Sequence, residues 1–217
     1  MLTRGYHQRK MTPKEIEALL LLFKDFSSHY NANALSKKIG LSRPGALKIV
    51  KSLKKQGLVV SKQYGKAIFY KVNLESDYNK QIVKTLLMGE AREKGRRWLH
   101  EFKAFFEHLE MAVLFGSAVR DYSKANDVDI ILVLAQKKIK VVQELINDKN
   151  RILVKPIHPL WQSPNDIVKN LALPDPVIVN ALRFGYVLHG YDLLIDAVHK
   201  AQKAHGIFAV PEPERRL

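Results

Sequence analysis

The chain has 217 residues, of which 47% are hydrophobic and 26% charged, as expected for a globular protein with one or two modest domains. It has no cysteine, which excludes disulfides, thiol catalysis and cysteine metal sites. No apolar run approaches the roughly 18–20 residues that cross a bilayer, and the N-terminus lacks the basic-then-apolar pattern of a signal peptide. We therefore expect a cytoplasmic protein with no membrane partner.

The positive charge is concentrated in the N-terminal third of the chain. The net charge is +15, and residues 1–75 hold fifteen Lys and Arg against four Asp and Glu, a local net charge of +11. This distribution is the electrostatic footprint of a protein that binds a phosphate backbone. The alternative is an ordinary solvated lysine surface.

Two helices are predicted before residue 41. Thr12-Pro13-Lys14-Glu15 has the form of a capping box, and apolar residues at helical spacing extend this first helix to about Ser27. Asn31 and Asn33 then indicate a turn and a second cap. The short second helix ends at Gly40, because glycine best tolerates the left-handed C-terminal conformation.

A basic third helix and a hairpin follow. Ser42 caps the helix and Gly57 ends it. The strands are predicted at residues 58–61 and 67–72, with a turn at residues 63–66. The helix is predicted to face inward through Leu47, Val50 and Leu53, and outward through Arg43, Gly45, Lys48, Ile49, Lys51, Ser52 and Lys55.

This order of elements, over roughly residues 10–73, resembles the winged helix-turn-helix family. The resemblance implies that the third helix enters the major groove of double-stranded DNA and that the hairpin tip lies on the flanking backbone. Arg43 and Ser52 are then candidates for contacts with base edges. The candidates for phosphate contacts are Lys48, Lys51, Lys55, Lys62 and Lys66. A winged domain that serves only protein interactions is the alternative.

Residues 76–97 are predicted to form a helical connector. Apolar residues recur at three- and four-residue steps as far as Leu109, and Gly95 marks a break between two helices. An amphipathic connector between two domains is a natural dimerisation surface, so we expect a homodimer.

The C-terminal half contains a motif with a physical logic for nucleotide binding. A predicted strand at residues 111–115 is followed by Gly116-Ser117, nine further residues, Asp127-Val128-Asp129 and a second strand at residues 130–134. A glycine after a strand lets backbone N–H groups approach a triphosphate. Two aspartates two residues apart on a strand point to the same face, where they can share a Mg²⁺ ion.

Leu114-Phe115-Gly116-Ser117-Ala118-Val119-Arg120, with Asp127-Val128-Asp129, resembles the signature of the polymerase-beta-like nucleotidyltransferases, in particular their minimal members. The resemblance covers roughly residues 98–190, and residues 184–190 resemble the segment that closes the minimal domain. It implies that a nucleoside triphosphate is bound by Gly116, Ser117 and Arg120, that Mg²⁺ is bound by Asp127 and Asp129, and that the catalytic residues are Asp127, Asp129 and Ser117.

The chain also departs from that family. Asp121 stands where many relatives have glycine, the spacer has nine residues where ten is common, and Asn126 replaces a frequent serine. Active relatives carry a third carboxylate on a later strand. The best candidate strand, residues 151–158, contains no Asp or Glu. Asp148 and Asp166 flank it and are predicted to lie in loops, and His158 is a possible substitute base or a merely packed or solvated residue.

These observations predict an α+β protein with a winged helix-turn-helix domain at 1–75, a helical connector at 76–97 and a small mixed α/β nucleotidyltransferase-like domain at 98–217. The proline-rich end, residues 211–214, is expected to be extended or disordered. The leading functional hypothesis is a DNA-binding transcriptional regulator that binds nucleoside triphosphate and Mg²⁺. The alternative is an active nucleotidyltransferase that modifies a protein, RNA or small molecule. A degenerate domain kept as a dimerisation scaffold is the third hypothesis, and the sequence leaves catalysis open.

Overall fold

A computed structural model describes residues 10–204, which form an α+β fold with two sheets, as predicted. Residues 211–214 lie outside this range. The strands are β1 (Tyr30–Asn31), β2 (Val59–Tyr64), β3 (Ala67–Val72), β4 (Met111–Leu114), β5 (Val128–Val133), β6 (Ile157–Gln162) and β7 (Tyr186–His189). The α-helices are α1 (Pro13–Lys24), α2 (Ala32–Ile39), α3 (Arg43–Lys55), α4 (Asp77–Lys94), α5 (Arg96–Glu101), α6 (Ser117–Arg120), α7 (Ile139–Asn150), α8 (Pro164–Ala172), α9 (Pro176–Phe184) and α10 (Tyr191–Ala204).

The first three helices begin where their capping side chains predict. Thr12 forms the full capping box with Glu15, and Ser42 accepts a hydrogen bond from a backbone N–H of α3. Gly40 ends α2 with φ of 64°. Two boundaries differ from the prediction: α1 ends at Lys24, and Asn31 alone caps α2.

Strands β2 and β3 form an antiparallel hairpin that Gly65 closes with φ of 55°. The two-residue β1, which the sequence analysis missed, pairs with β3 and completes a three-stranded sheet. Helix α3 packs inward through Ala46, Val50 and Leu53. Residues 13–72 therefore form a winged helix-turn-helix domain, with α3 in the position of the recognition helix and the β2–β3 hairpin as the wing.

Helix α4 is followed by the predicted break at Gly95. A β-carbon at this position would lie 2.9 Å from the carbonyl oxygen of Ala91, so α5 can turn closely away from α4 only with glycine here. Val83, Leu87 and Ala91 of α4 are buried, and the helix contacts α1, β7 and α10. This face of α4 is thus used within the chain, and the homodimer stays a prediction.

The second sheet has the order β6-β5-β4-β7, in which β5 and β6 are parallel and the other pairs antiparallel. The strand predicted at residues 151–158 is wrong in its bounds, because β6 spans Ile157–Gln162. The apolar residues Ile152 and Val154 are 74% and 90% exposed, so they form no strand face against the core. In the segment at residues 184–190, β7 forms and pairs with β4, and α10 follows it.

One apolar core runs through both parts of the molecule. It joins the winged domain and α4 to one face of the second sheet, where Met111, Val113 and Ile131 are fully buried. The opposite face, with Leu114 and Ile130, packs in a separate cluster with α5 and α7. Within residues 10–204, none of the helices is long and apolar enough to cross a membrane.

Two buried ionic clusters accompany this core. Lys24 of α1 donates to Glu90 of α4 at 2.9 Å and to the carbonyl oxygen of Gly185 at 2.6 Å. Asp25 accepts from Arg183 of α9 and from Tyr30, each at 2.5 Å. Helices α1, α4 and α9 are therefore held together by polar as well as apolar contacts.

Candidate functional sites

Six of the predicted DNA-binding residues lie on α3 and on the wing. We call them the α3–wing surface: Arg43, Lys48, Lys51, Lys55, Lys62 and Lys66. All are exposed except the half-buried Lys62. Within residues 10–204 none of them forms a salt bridge, so their charges are not neutralised by neighbouring carboxylates.

Ser52 differs from the residues of the α3–wing surface because it has a partner within the fold. Its hydroxyl donates to Glu15 of α1 at 2.6 Å, and the side chain is half-buried. On the helix it adjoins Lys48 and Lys55, which lie four and three residues away, while its hydroxyl is directed at α1. This hydrogen bond helps to fix α3 against α1, and the base contact of Ser52 stays a prediction.

The wing is attached to α3 by a polar contact at its base. Lys54 near the end of α3 donates to Ser61 of β2 at 2.7 Å. Lys62 lies over the ring of Tyr64, with its ammonium nitrogen 5.6 Å from the ring centroid. Of these two contacts, the hydrogen bond between Lys54 and Ser61 joins the wing to α3, and the Lys62–Tyr64 contact lies within β2.

In the second sheet, the strand ends bring the predicted nucleotidyltransferase residues together. The backbone N–H of Phe115 donates to the carbonyl oxygen of Asp129 at 3.0 Å, and Gly116 then turns with φ of 78°. A β-carbon on Gly116 would lie 2.0 Å from Asp129 Oδ2. Glycine is therefore required here by both its backbone conformation and the close approach of Asp129.

Asp127, Asp129 and His158 form one cluster. Each offers an atom suited to bind a metal, and these atoms all lie within 4.8 Å of one another. His158 Nδ1 lies 3.2 Å from Asp129 Oδ1, because β5 and β6 pair with these two residues opposite each other. His158 is 73% exposed, whereas Asp129 is 22% exposed. The strand predicted at residues 151–158 starts too early, so the sequence did not show that His158 would lie opposite Asp129.

Ser117 and Arg120 occupy the two ends of α6. Ser117 is half-buried next to Gly116, and Arg120 is exposed. Asp121, which departs from the family pattern, accepts hydrogen bonds from the backbone N–H and the hydroxyl of Ser123. The hydrogen bond from the hydroxyl is the main reason why the pKa of Asp121 lies below its usual value. Lys155 donates to backbone carbonyls of the same loop.

A third carboxylate is not found on β6. The acidic candidates predicted to lie in loops are on helices: Asp148 in α7 pairs with Arg151 at 3.1 Å, and Asp166 caps α8 with Ser163. The hydrogen bond with the Ser163 side chain lowers the pKa of Asp166. Asp175 is itself the N-cap of α9, and its carboxylate accepts hydrogen bonds from the backbone N–H groups of Val177 and Ile178. In the described part of the chain, the side chain that lies beside Asp127 and Asp129 is the imidazole of His158.

The cluster fits one divalent cation better than a pair of them. Asp127 and Asp129 supply the one or two carboxylates that Mg²⁺ needs together with substrate phosphates. A second metal would require a further bridging carboxylate, and His158 supplies only a nitrogen. When bound, a divalent cation would neutralise phosphate charge, while Gly116 lets the backbone come close and Ser117 offers a hydroxyl donor.

No protein-family model matches the chain, and no curated protein matches it. Among solved structures, it is similar to the adhesin competence repressor AdcR from Streptococcus pyogenes, at 16% identity and a TM-score of 0.33, over 66% of this chain and 81% of that one. It is also similar to ZitR from Lactococcus lactis, described as a zinc-responsive MarR family member, at 11% identity and a TM-score of 0.31, over 68% and 79%. A point mutant of ZitR in complex with DNA gives 16% identity and a TM-score of 0.32, over 49% and 67%. These scores are too low to assign a family, and the winged-helix fold rests on the geometry of residues 13–72.

Proposed function

We propose that the protein is a transcriptional regulator that binds double-stranded DNA through the α3–wing surface. The observation that carries this proposal is the unneutralised positive charge along α3. Lys48, Lys51 and Lys55 are all exposed on the side of the helix away from the core. Lysines so placed can follow a phosphate backbone when the helix lies in the major groove.

The residues of the α3–wing surface have different tasks in this proposal. Lysines contact phosphates and set the register of the complex without reading sequence. Arg43 at the start of α3 is the candidate for reading a base, since its guanidinium can donate two hydrogen bonds to guanine. Lys62 and Lys66 extend the contact to the flanking backbone.

The test is DNA affinity as a function of salt. The wild-type chain and the triple variant Lys48→Ala/Lys51→Ala/Lys55→Ala are titrated against a fluorescent duplex by anisotropy at several salt concentrations. The slope of log affinity against log salt should decrease by about 0.9 for each phosphate that the variant no longer neutralises.

The control variant removes the same charge elsewhere. Lys103, Lys137 and Lys140 are exposed and lie outside the winged domain. Replacing these three by alanine should leave the slope within error of wild type. If both triple variants lose affinity equally, the binding is due to net charge, and the α3–wing surface is not the interface.

We further propose that the C-terminal part binds a nucleoside triphosphate with a divalent cation. The supporting observation is the close approach of Gly116 to Asp129, which joins a glycine turn to the two aspartates. In this proposal Gly116 and Ser117 face the phosphates, Arg120 adds positive charge, and Asp127 and Asp129 hold the cation. An active nucleotidyltransferase with a protein, RNA or small-molecule acceptor is the second candidate, since the same residues would orient a transferred phosphoryl group.

One experiment separates these possibilities. The chain is incubated with each α-labelled nucleoside triphosphate and Mg²⁺, and both retention of label and its covalent transfer to protein or RNA are measured. Retention without transfer, lost in Asp127→Asn/Asp129→Asn while DNA binding is kept, is the result expected of a regulator. Transfer that requires both aspartates would instead identify an enzyme. If neither retention nor transfer of label is observed, the nucleotide proposal is contradicted and the domain remains as a scaffold.

A further inference from the structure

His158 stands beside the two aspartates because of the register of the second sheet. Strand β6 runs parallel to β5 and places His158 opposite Asp129. The result is a separation of 3.2 Å between His158 Nδ1 and Asp129 Oδ1. This is a hydrogen-bond distance, and because ligands bonded at about 2.1 Å to one metal ion lie roughly 3 Å apart, it also lets both atoms bind one ion.

The orientation of Asp129 supports the same role. Its Oδ2 is directed at Gly116, close enough that a β-carbon there would lie 2.0 Å away. Its Oδ1 faces His158 instead. One carboxylate oxygen is thus confined by the glycine turn and the other is presented to the imidazole, with an oxygen of Asp127 within the same 4.8 Å cluster.

We infer that Asp127, Asp129 and His158 form a three-ligand site for one divalent transition-metal ion, and that His158 makes the site prefer Mn²⁺ over Mg²⁺. The inference deepens the proposed nucleotide function, on which it rests, by naming the metal class of its cation site. Mg²⁺ takes oxygen ligands and sheds its water reluctantly, whereas imidazole is a suitable ligand for borderline metals. Three protein ligands leave other coordination positions for water or phosphate oxygens.

A simple ion pair explains the arrangement less well. His158 is 73% exposed, and an exposed pair of this kind contributes little to stability. It also leaves out Asp127, which has a carboxylate oxygen within 4.8 Å of the other two ligand atoms. A metal ion accounts for all three groups at once.

The first measurement is Mn²⁺ binding to the untagged full-length chain, followed by electron paramagnetic resonance without nucleotide, with Mg²⁺ as competitor. We expect Mn²⁺ to bind more tightly than Mg²⁺, and His158→Ala to weaken Mn²⁺ binding about tenfold, equivalent to about 1.4 kcal/mol. His158→Asp should restore binding with a preference shifted toward Mg²⁺. His100→Ala, which removes an exposed histidine of α5, is the matched control and should bind as wild type.

The second measurement is spectroscopic. Electron spin-echo modulation of bound Mn²⁺ should show coupling to an imidazole nitrogen that disappears in His158→Gln. If the coupling is absent in wild type, or if His158→Ala binds Mn²⁺ unchanged, the inference is overturned. If retention of nucleotide with Mg²⁺ depends on Asp129 but not on His158, the proposed function is still supported. If the wild-type chain binds no divalent cation at all, both the proposed function and this inference are contradicted.

Discussion

At Gly116 the backbone adopts φ of 78°, and Asp129 Oδ2 lies where a β-carbon would project. Gly116→Ala therefore meets two penalties, a strained backbone and a displaced carboxylate. The strain alone costs about 1–3 kcal/mol. We expect the free energy of unfolding in urea to fall by at least this amount, and the affinity for Mn²⁺ to fall with it.

Gly65 separates these two penalties. It also has positive φ, at 55°, but a β-carbon there meets nothing within 4 Å. Gly65→Ala should therefore lose about 1 kcal/mol through strain and leave metal binding unchanged. Equal stability losses in the two variants, with metal binding intact in both, would show that Asp129 moves freely and is not positioned by Gly116.

The residues that were predictable from sequence are those whose partners are close in the chain. Thr12, Ser42 and Gly40 act on backbone groups within a few residues, so local spacing was enough to place them. Ser52 and His158 have partners 37 and 29 residues away. Their roles depend on how helices and strands pack, which local spacing does not determine.

Among the elements, α8 shows how a single carboxylate fixes a helix start. Asp166 accepts from the backbone of Ser163, and the Ser163 hydroxyl accepts from the backbone of Asp166 in return. Because the hydrogen bonds with Ser163, led by the one with its side chain, lower the pKa of Asp166 below its ordinary 3.8 in the folded chain, the carboxylate stabilises the fold above that pH. This contribution is lost as the pH falls through the lowered value.

Asp166→Ala should therefore be less stable than wild type at neutral pH, and the difference should shrink as the pH falls below 3.8. Urea unfolding followed by circular dichroism from pH 7 to the acid limit of folding measures this. Ser163→Ala, which removes the other half of the same capping box, should cost about 1 kcal/mol at pH 7. A difference for Asp166→Ala that does not change with pH would show that the ionised carboxylate has no part in the cap.

Strand β6 shows where element prediction failed. Residues 151–158 contain a short apolar run, Ile152 to Val154, that is typical of a strand, yet the turns before Ile157 leave Ile152 and Val154 exposed. The strand forms three residues after Val154, where β5 offers a free parallel edge. Proline at position 159 is tolerated because β6 is itself an edge strand. Neither fact is visible without the partner strand.

At the scale of the whole molecule, the winged domain shares an apolar core with the second sheet and a buried ion pair with α4. Lys24 and Glu90 are 7% and 10% exposed in their side chains and lie 2.9 Å apart. Burial lowers the pKa of Lys24, and Glu90 offsets this only in part. A pair of this kind gains little over apolar residues, but removing one partner leaves the other charge buried and uncompensated.

We therefore expect Lys24→Met to lose about 3 kcal/mol in the free energy of unfolding, at the low end for a buried pair because Lys94 lies 4.0 Å from Glu90 and can partly compensate. The double variant Lys24→Met/Glu90→Leu should recover most of that loss. The measurement is urea unfolding observed by tryptophan fluorescence, which reports on Trp98 and Trp161 of the C-terminal part, and by hydrogen exchange of α3. The pair joins α1 to α4, and the winged domain and the C-terminal part share a core. Tryptophan fluorescence and hydrogen exchange of α3 should therefore shift together. A loss seen in α3 exchange alone would mean that the winged domain unfolds independently and that the shared core does not couple it to the candidate metal site.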